Sequence, residues 1–544
     1  MCKLNLKFSK SLNFAFIVIL LVTLVSCNSV KQPSSIPQKI NYSDEDIVQN
    51  EIERINGFME KTPVKALWRA VLLDRADVID KCVKNLQSLI EKAYEDEDFY
   101  LADKYGKSLE TIGFPLGKYS RSEINKIKKN DVPGLTGINN KAPQNIEDCI
   151  KATCTIWVDR GLKVKHGSGY ADIIIGSGFF IDKRGYLVTN YHVIESMVDP
   201  KYEGYSRLYI RLPEDMDHKI QAKVVGYDKT LDLALLKVEI EPEFVFNLGS
   251  SSGLRVGAKI SAIGTPIGLE GTLTSGIISA TDRKLLNLGD VFQIDAAVNS
   301  GNSGGPLIDE NMNVQAVVFA GMLEFQGLNF AIPVEYLKQM LGFMYTKGEI
   351  VHPWISAFGH TKKHGSKKTG LEVQYVVPGG SSFLSGLSEG DVIIEFDGNP
   401  ITCLEDFQLV MLSCEPETLL KCKYMNKKEE VKECYVYLEK RPIAPALLVY
   451  NCDFFTGSFL PLFGMKLISS STSDKNAFTV DYVLPGTVAD QLNFSNNDQI
   501  EVKDVVFNSK SEEIDVQIVT RRRKKGFLDI SLLLGADYDS PYYF

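Results

Sequence analysis

Ser303 lies in Asn299-Ser300-Gly301-Asn302-Ser303-Gly304-Gly305-Pro306-Leu307. Upstream stand His192, in Thr189-Asn190-Tyr191-His192-Val193, and Asp232, in Asp228-Lys229-Thr230-Leu231-Asp232-Leu233-Ala234. A serine hydroxyl is a weak nucleophile at neutral pH. It needs a base within hydrogen-bond reach, and the base needs a carboxylate to orient it. Taken singly, each residue has an ordinary explanation: a Gly-rich turn, a strand end, a loop cap. Together, in the order His, Asp, Ser and each beside apolar strand-like residues, they point to attack on an acyl carbonyl. Of the six histidines, only His192 has such a context.

These residues need a rigid frame. Around them the chain alternates short β-like runs with Gly-containing turns. Gly176 to Ile181 and Tyr186 to Thr189 flank Asp182-Lys183-Arg184-Gly185, which predicts a hairpin that delivers His192 just past a strand.

Residues 145–345 resemble the protease domain of the HtrA/Deg family. The matching segments are Gly176-Ser177-Gly178-Phe179-Phe180-Ile181, the His192 segment, Leu231-Asp232-Leu233-Ala234-Leu235-Leu236-Lys237 and Ala262-Ile263-Gly264-Thr265-Pro266. Thr274-Ser275-Gly276-Ile277-Ile278-Ser279, Gly301 to Pro306 and Asn329-Phe330-Ala331-Ile332-Pro333 follow. Tyr191 and Thr265 stand where the family more often has Asn. The resemblance implies a mainly β fold, with paired six-stranded barrels of the chymotrypsin type and the active site in the cleft between them.

In that frame Ser303 attacks the scissile carbonyl, His192 takes and returns the proton, and Asp232 holds the imidazole. The segment Gly301, Asn302 and Ser303 forms the oxyanion hole. The resemblance puts Ala297, six residues before the nucleophile, at the base of the primary specificity pocket, with Leu328 and Phe330 on another wall. A small apolar base suits cleavage after small or medium aliphatic residues. The alternative to a protease is a chaperone or peptide-binding scaffold that keeps the fold. The resemblance also implies a homotrimer. The stretch Arg160 to Asp172 is short, and a residue spans at most about 3.6 Å. It therefore lacks the reach of the long loop that locks some relatives into a resting hexamer.

A chain of 544 residues is too long for one core, so several domains are expected. A hydrophobic fraction of 44% suits globular domains, and a net charge of −9 offers no basic footprint for nucleic acid. The basic run Arg521-Arg522-Arg523-Lys524-Lys525 is read as a solvated hairpin turn. No metal-ligand spacing and no cofactor motif is present.

The N-terminus reads as an export signal over residues 1–26. Lys3, Lys7 and Lys10 precede an apolar run from Phe14 to Val25, too short to span a bilayer. Leu24-Val25-Ser26-Cys27 resembles a bacterial lipobox, which implies lipidation of Cys27 and a periplasmic, membrane-anchored envelope protein. An ordinary signal peptide with a chance cysteine is the alternative. Residues 27–45 read as a flexible tether. Of the ten cysteines, Cys2 leaves with the signal and Cys27 carries the lipid; an oxidising envelope permits disulfides among the remaining eight, but their pairing cannot be deduced.

Residues 46–140 read as a helical module, a spacer or a partner-docking unit. Thr62-Pro63 makes an N-cap and first turn, followed by Val64, Leu67, Trp68, Val71 and Leu72 at helical spacing. The protease domain is assigned to 141–347. Beyond it, Val373-Gln374-Tyr375-Val376-Val377-Pro378-Gly379 recurs as Val480-Asp481-Tyr482-Val483-Leu484-Pro485-Gly486. The first copy, 348–441, resembles a PDZ domain. The second, 442–544, is a divergent PDZ-like domain, with Asn493-Phe494 and Asn497 where the first has Gly386-Leu387 and Gly390. A PDZ groove takes a peptide as an added strand and captures its C-terminal carboxylate. The peptide-binding loop is assigned to Ile355, Ser356, Ala357 and Phe358, with Leu462 to Met465 as its counterpart.

Overall fold

Strand alternation closes two six-stranded barrels. The first runs in the order Thr153–Lys165, Ser168–Asp182, Tyr186–Thr189, Leu233–Val238, Asp215–Asp228, Arg207–Leu212. The second runs Pro306–Ile308, Val314–Gly321, Asn329–Pro333, Val291–Ile294, Thr272–Arg283, Lys259–Gly264. This is the paired-barrel architecture that the resemblance implies. The computed structural model describes residues 32–38, 40, 42, 44–128, 132–135, 141–202, 204–264, 271–299, 301–321, 328–470, 476–523 and 527–544. Cys27 and the run before it lie outside these residues, as do Thr265 and Ser300.

The hairpin predicted around Asp182 forms, with Phe179 opposite Val188 and Phe180 opposite Leu187. Asp182 Oδ1 accepts from Arg184 N and Nε, each at 2.9 Å, which fixes the turn. Between the barrels Phe179 and Phe246 meet edge to face at 5.9 Å, in a core shared with Val291, Ile308 and Ile332. Burying each ring contributes about 1.5–3 kcal/mol relative to exposing it. Thr153–Lys165 and Ser168–Asp182 continue past the barrel as a two-stranded hairpin, with Lys165 opposite Ser168. Its Leu162, Val164 and Tyr170 are exposed.

The N-terminal helices Glu45–Lys61, Pro63–Leu73, Ala76–Glu95 and Phe99–Thr111 follow the apolar spacing. Pro63 opens its helix as expected, but Thr62 makes no side-chain cap bond and its hydroxyl is buried without a partner. The bundle packs on the strands Leu419–Met425 and Val431–Tyr437. Trp68 stacks on Tyr437 at 5.5 Å and donates to Tyr435 O at 3.0 Å. Lys104 and Lys107 pair with Glu417 and Asp397. Part of the stretch read as a tether is also held, since Gln32 Oε1 accepts from Phe455 N at 3.0 Å.

The C-terminal repeat gives two sheets, each with a path of five strands; in the first a sixth, Asn399–Pro400, also pairs with Val392–Phe396. One runs Ala357–His364, Lys367–Val376, Val392–Phe396, Leu419–Met425, Val431–Tyr437. The other runs Met465–Ser469, Ala477–Val483, Gln499–Asn508, Glu513–Arg523, Phe527–Asp537. Their loops superpose bond for bond. Val377 N donates to Ser356 O at 2.9 Å, and Leu484 N to Gly464 O at 2.7 Å. Gly390 N donates to Val373 O, and Asn497 N to Val480 O. Asn493 (φ +57) and Asn497 (φ +70) take the left-handed conformations of Gly386 and Gly390, which Asn tolerates better than most residues. The second module is shorter at one connection. Between Val392–Phe396 and Leu419–Met425 the first carries the strand Asn399–Pro400 and the helix Leu404–Leu412, while the second joins the matching strands by a turn. The helices Pro445–Cys452 and Phe455–Phe463 pack on the second module instead, so Leu462 and Phe463 are helical and Gly464 caps them.

All eight cysteines within the described residues are free thiols. Cys422 and Cys434 stand directly opposite on paired strands. Burial pushes the Cys82 and Cys149 thiols up, to about 11 and about 12, so they behave as small apolar core residues.

Candidate active site

His192 opens the helix Tyr191–Val198, one turn after the strand Tyr186–Thr189. Its Nδ1 lies 2.7 Å from Asp232 Oδ2, and its backbone N–H donates to Asp232 Oδ1 at 2.8 Å. An ionised carboxylate only accepts, so Nδ1 carries the proton and Nε2 keeps a free lone pair. Asn190 Nδ2 donates to Asp232 O at 2.8 Å. Asp232 itself sits at φ +53, a left-handed conformation that Asp adopts more readily than bulkier residues. Burial, the largest single influence, lowers the His192 pKa. The Asp232 hydrogen bond and charge, with Glu195, outweigh it, and the net shift is upward from 6.5.

The loop that presents Asp232 has its own buried anchor, which the sequence reading missed. Asp228 is fully buried and accepts from Thr230 N and Leu231 N at 2.9 and 3.0 Å. It also meets His352 Nε2, 2.9 Å from Oδ2. His352 follows the protease domain and is 4% exposed. Its carbonyl accepts from Arg441 N, and Tyr227 N and Ile350 N complete a short pairing of the connector with the barrel. Removing one partner leaves a buried polar group unsatisfied, which costs about 1–3 kcal/mol. No local motif marks His352; only the fold brings it to Asp228. A cavity of about 820 Å³ adjoins this anchor, lined by Tyr227, Thr230, His352, Arg441 and Asp539 among others. Neither His192 nor Ser303 lines it.

The serine loop is braced from the first barrel. Ser177 N donates to Ser303 O at 2.8 Å, and Ser177 Oγ to Gly301 O at 2.6 Å. Thr189 Oγ1 donates to Ser177 O at 2.7 Å. Gly304 (φ +85) lies so near Ser177 O and Thr189 Oγ1 that any Cβ would overlap them. Asn302 N–H is already donated to Asn299 O at 3.0 Å, and the Asn302 side chain is buried. Of the three residues assigned to the oxyanion hole, Asn302 therefore has no free N–H for a substrate oxygen. The Ser303 hydroxyl donates to Phe319 O at 3.3 Å. Among the described residues no hydrogen bond joins it to His192.

Ala297 is exposed, and its carbonyl accepts from Thr274 Oγ1 at 2.9 Å. Next to it, Ala296 O accepts from Asn329 Nδ2 at 2.8 Å, which brings Leu328 to the same region. Leu328 is half-buried. Phe330 is 4% exposed and packs in the core between the barrels. Ser356 is buried at φ +62 and bonds to Glu439, and Ala357 begins the edge strand of the first C-terminal sheet.

Comparison with known proteins bears on the same segments. The profile of a trypsin-like peptidase domain matches residues 176–317. That of the TP0546 family PDZ domain matches 446–538, and a domain of unknown function, DUF8517, matches 46–130. A probable periplasmic serine endoprotease DegP-like of Hahella chejuensis is 33% identical over 47% of this chain and 55% of its own length. One of Halomonas elongata is 33% identical over 62% of this chain and 67% of its own length. The solved HtrA-type protease AlgW with decapeptide shares 24% identity over 55% of this chain and 99% of that chain, with a TM-score of 0.46. The chain spans between 51% and 59% of the length of the first three curated relatives it matches. On the breadth of the Halomonas match and the trypsin-like profile, the chain belongs to the HtrA/Deg family of trypsin-like serine proteases.

Proposed function

We propose that the chain is an envelope serine endopeptidase that cleaves unfolded or regulatory proteins through an acyl-enzyme. The observation that carries this reading is the His192 Nδ1–Asp232 Oδ2 contact, which leaves Nε2 free as a base beside the braced serine loop. In the reaction Ser303 turns from Phe319 O toward Nε2 as the substrate carbonyl arrives. Catalytic hydrogen bonds commonly tighten only in the complex. Ser303 Oγ bonds to the carbonyl carbon, its proton passes to His192, and the oxyanion is met by the N–H groups of Gly301 and Ser303. One such donor is worth about 100–1000-fold in rate. The imidazolium then protonates the leaving amine, and water hydrolyses the ester by the same route. Ala297 and Leu328 favour a small or medium aliphatic side chain before the cut.

The resting hydroxyl on Phe319 O also favours a second reading, a chaperone or scaffold on the same fold. Casein cleavage by the native chain, absent in its Ser303→Ala form, supports the enzyme. Equal, trace cleavage by both supports the scaffold.

The His192 shift gives a pH expectation. The base works only when neutral, and its pKa is raised, so it stays protonated to a higher pH than a free imidazole. The acid limb of kcat/KM should have its midpoint above 6.5. A pH–rate profile on a peptide substrate reads it, and a midpoint at or below 6.5 would contradict this assignment of the charge balance.

The lipobox-like run supports a lipid anchor on Cys27 and a periplasmic location. Cys27→Ser should move the chain from the membrane to the soluble fraction or block its processing. Mass spectrometry of the native N-terminus showing no lipid would refute the anchor. The exposed apolar residues Leu162, Val164 and Tyr170 support contact between copies, and family membership supports a trimer. Light scattering on residues 28–544 should give three chains per particle without substrate. A resting hexamer that resolves to trimers only on adding substrate would contradict the inference from the short Arg160–Asp172 stretch.

A further inference from the structure

The strand Ala357–His364 is an edge of its sheet, and it is the strand along which a PDZ module takes peptides. In this chain the edge is already paired. Ala357 N donates to Phe544 O and Phe544 N to Ala357 O, both at 2.9 Å, and Gly359 N donates to Tyr542 O at 3.2 Å. Phe358 and Tyr543 face each other antiparallel between these bonds. On the opposite wall, Gln408 of the helix Leu404–Leu412 donates Nε2 to Pro541 O at 3.0 Å. Strand and helix therefore grip residues 541–544 as they would a peptide.

The side chains alternate as an added strand requires. Phe544 is 3% exposed and lies 5.2 Å from Phe407 of that helix, in a core with Ile355 and Met411. Tyr542 stacks on His360 at 4.0 Å. Tyr543 points the other way and donates to Pro461 O of the second module at 3.2 Å. Arg441 holds the approach, through Asp539 and Tyr543 O.

We propose that residues 541–544 are an intramolecular ligand of the first PDZ groove. The groove admits an outside peptide only when this segment leaves, and the peptides it takes carry an aromatic residue where Phe544 sits. This rests on the PDZ reading of residues 348–441, and the test reads binding alone, so it stands or falls apart from the peptidase reading. A tethered segment acts at an effective concentration of roughly millimolar. For a free peptide with an intrinsic Kd of about 10 µM, that lowers apparent affinity about 100-fold.

The probe is a fluorescent Ser-Pro-Tyr-Tyr-Phe peptide, titrated by anisotropy against the full chain and its Phe544→Ala form. The variant should bind about 100-fold more tightly than the parent. Hydrogen exchange should show the Ala357 and Gly359 amides deprotected in the variant and protected again by the peptide. No gain in affinity, with both amides still protected, would overturn the proposal. The parent alone gives a second reading should the variant fold poorly. Its Ala357 and Gly359 amides should exchange about ten-fold faster than that of Val373, which donates to Asp391 O in the same module. Equal rates would mean a fixed strand of the fold and would also overturn it.

Discussion

Ser303→Ala and His192→Ala should each lower turnover by about 10⁶-fold, and the double variant should lose little more. The reason is mechanical. Without the hydroxyl, His192 has no proton to take; without the imidazole, the hydroxyl stays a poor nucleophile on Phe319 O. Each loss disables the same step, so the costs do not add. Neither substitution disturbs the fold, because the serine loop is held through its backbone by Ser177 and His192 is partly exposed. Steady-state cleavage of one peptide by the four proteins checks this. Costs that multiply in the double variant would mean the two residues act separately.

Asp232→Asn should lower kcat by about 10⁴-fold. An asparagine can still accept from His192 N, so the loop keeps its geometry and the unfolding midpoint should hold. Its amide favours the other imidazole tautomer, with the proton on Nε2, where no lone pair is left for Ser303. The residual activity should also show a displaced acid limb. The Asp232 bond and charge raise the His192 pKa against burial, so their removal leaves burial in control and moves the limb to lower pH. Kinetics across pH read both effects together. An unchanged limb would mean that Asp232 is not the carboxylate that sets the base.

The His192–Asp232 pair was legible because each member carries a local signal beside a strand, and the fold brings the two into contact, while Ser303 stands on its braced loop with its hydroxyl on Phe319 O. The Asp182 hairpin was legible for the same reason. So was the repeat, and its Asn493 and Asn497 keep the left-handed turns of the glycines they replace. The helices Pro445–Cys452 and Phe455–Phe463 were not foreseen. Their apolar residues are not confined to one face and Pro461 lies inside the second, so no helical stripe marks them. His352 and residues 541–544 were missed for a different reason. Their partners, Asp228 and Ala357, lie far away in sequence, and only tertiary pairing shows the contact. Asn302 differs, because its N–H is taken locally by Asn299 O, in a tight turn that no residue type in the segment marks.

The central claim is that one serine, activated by His192, forms the acyl bond. Peptide mapping by mass spectrometry after reaction with a fluorophosphonate tests it most directly, since such reagents trap only an activated hydroxyl. One adduct, on Ser303 and absent from the His192→Ala form, is the expected result. A chain that cleaves casein while Ser303 stays unmodified, or that carries the adduct on another residue, would contradict it.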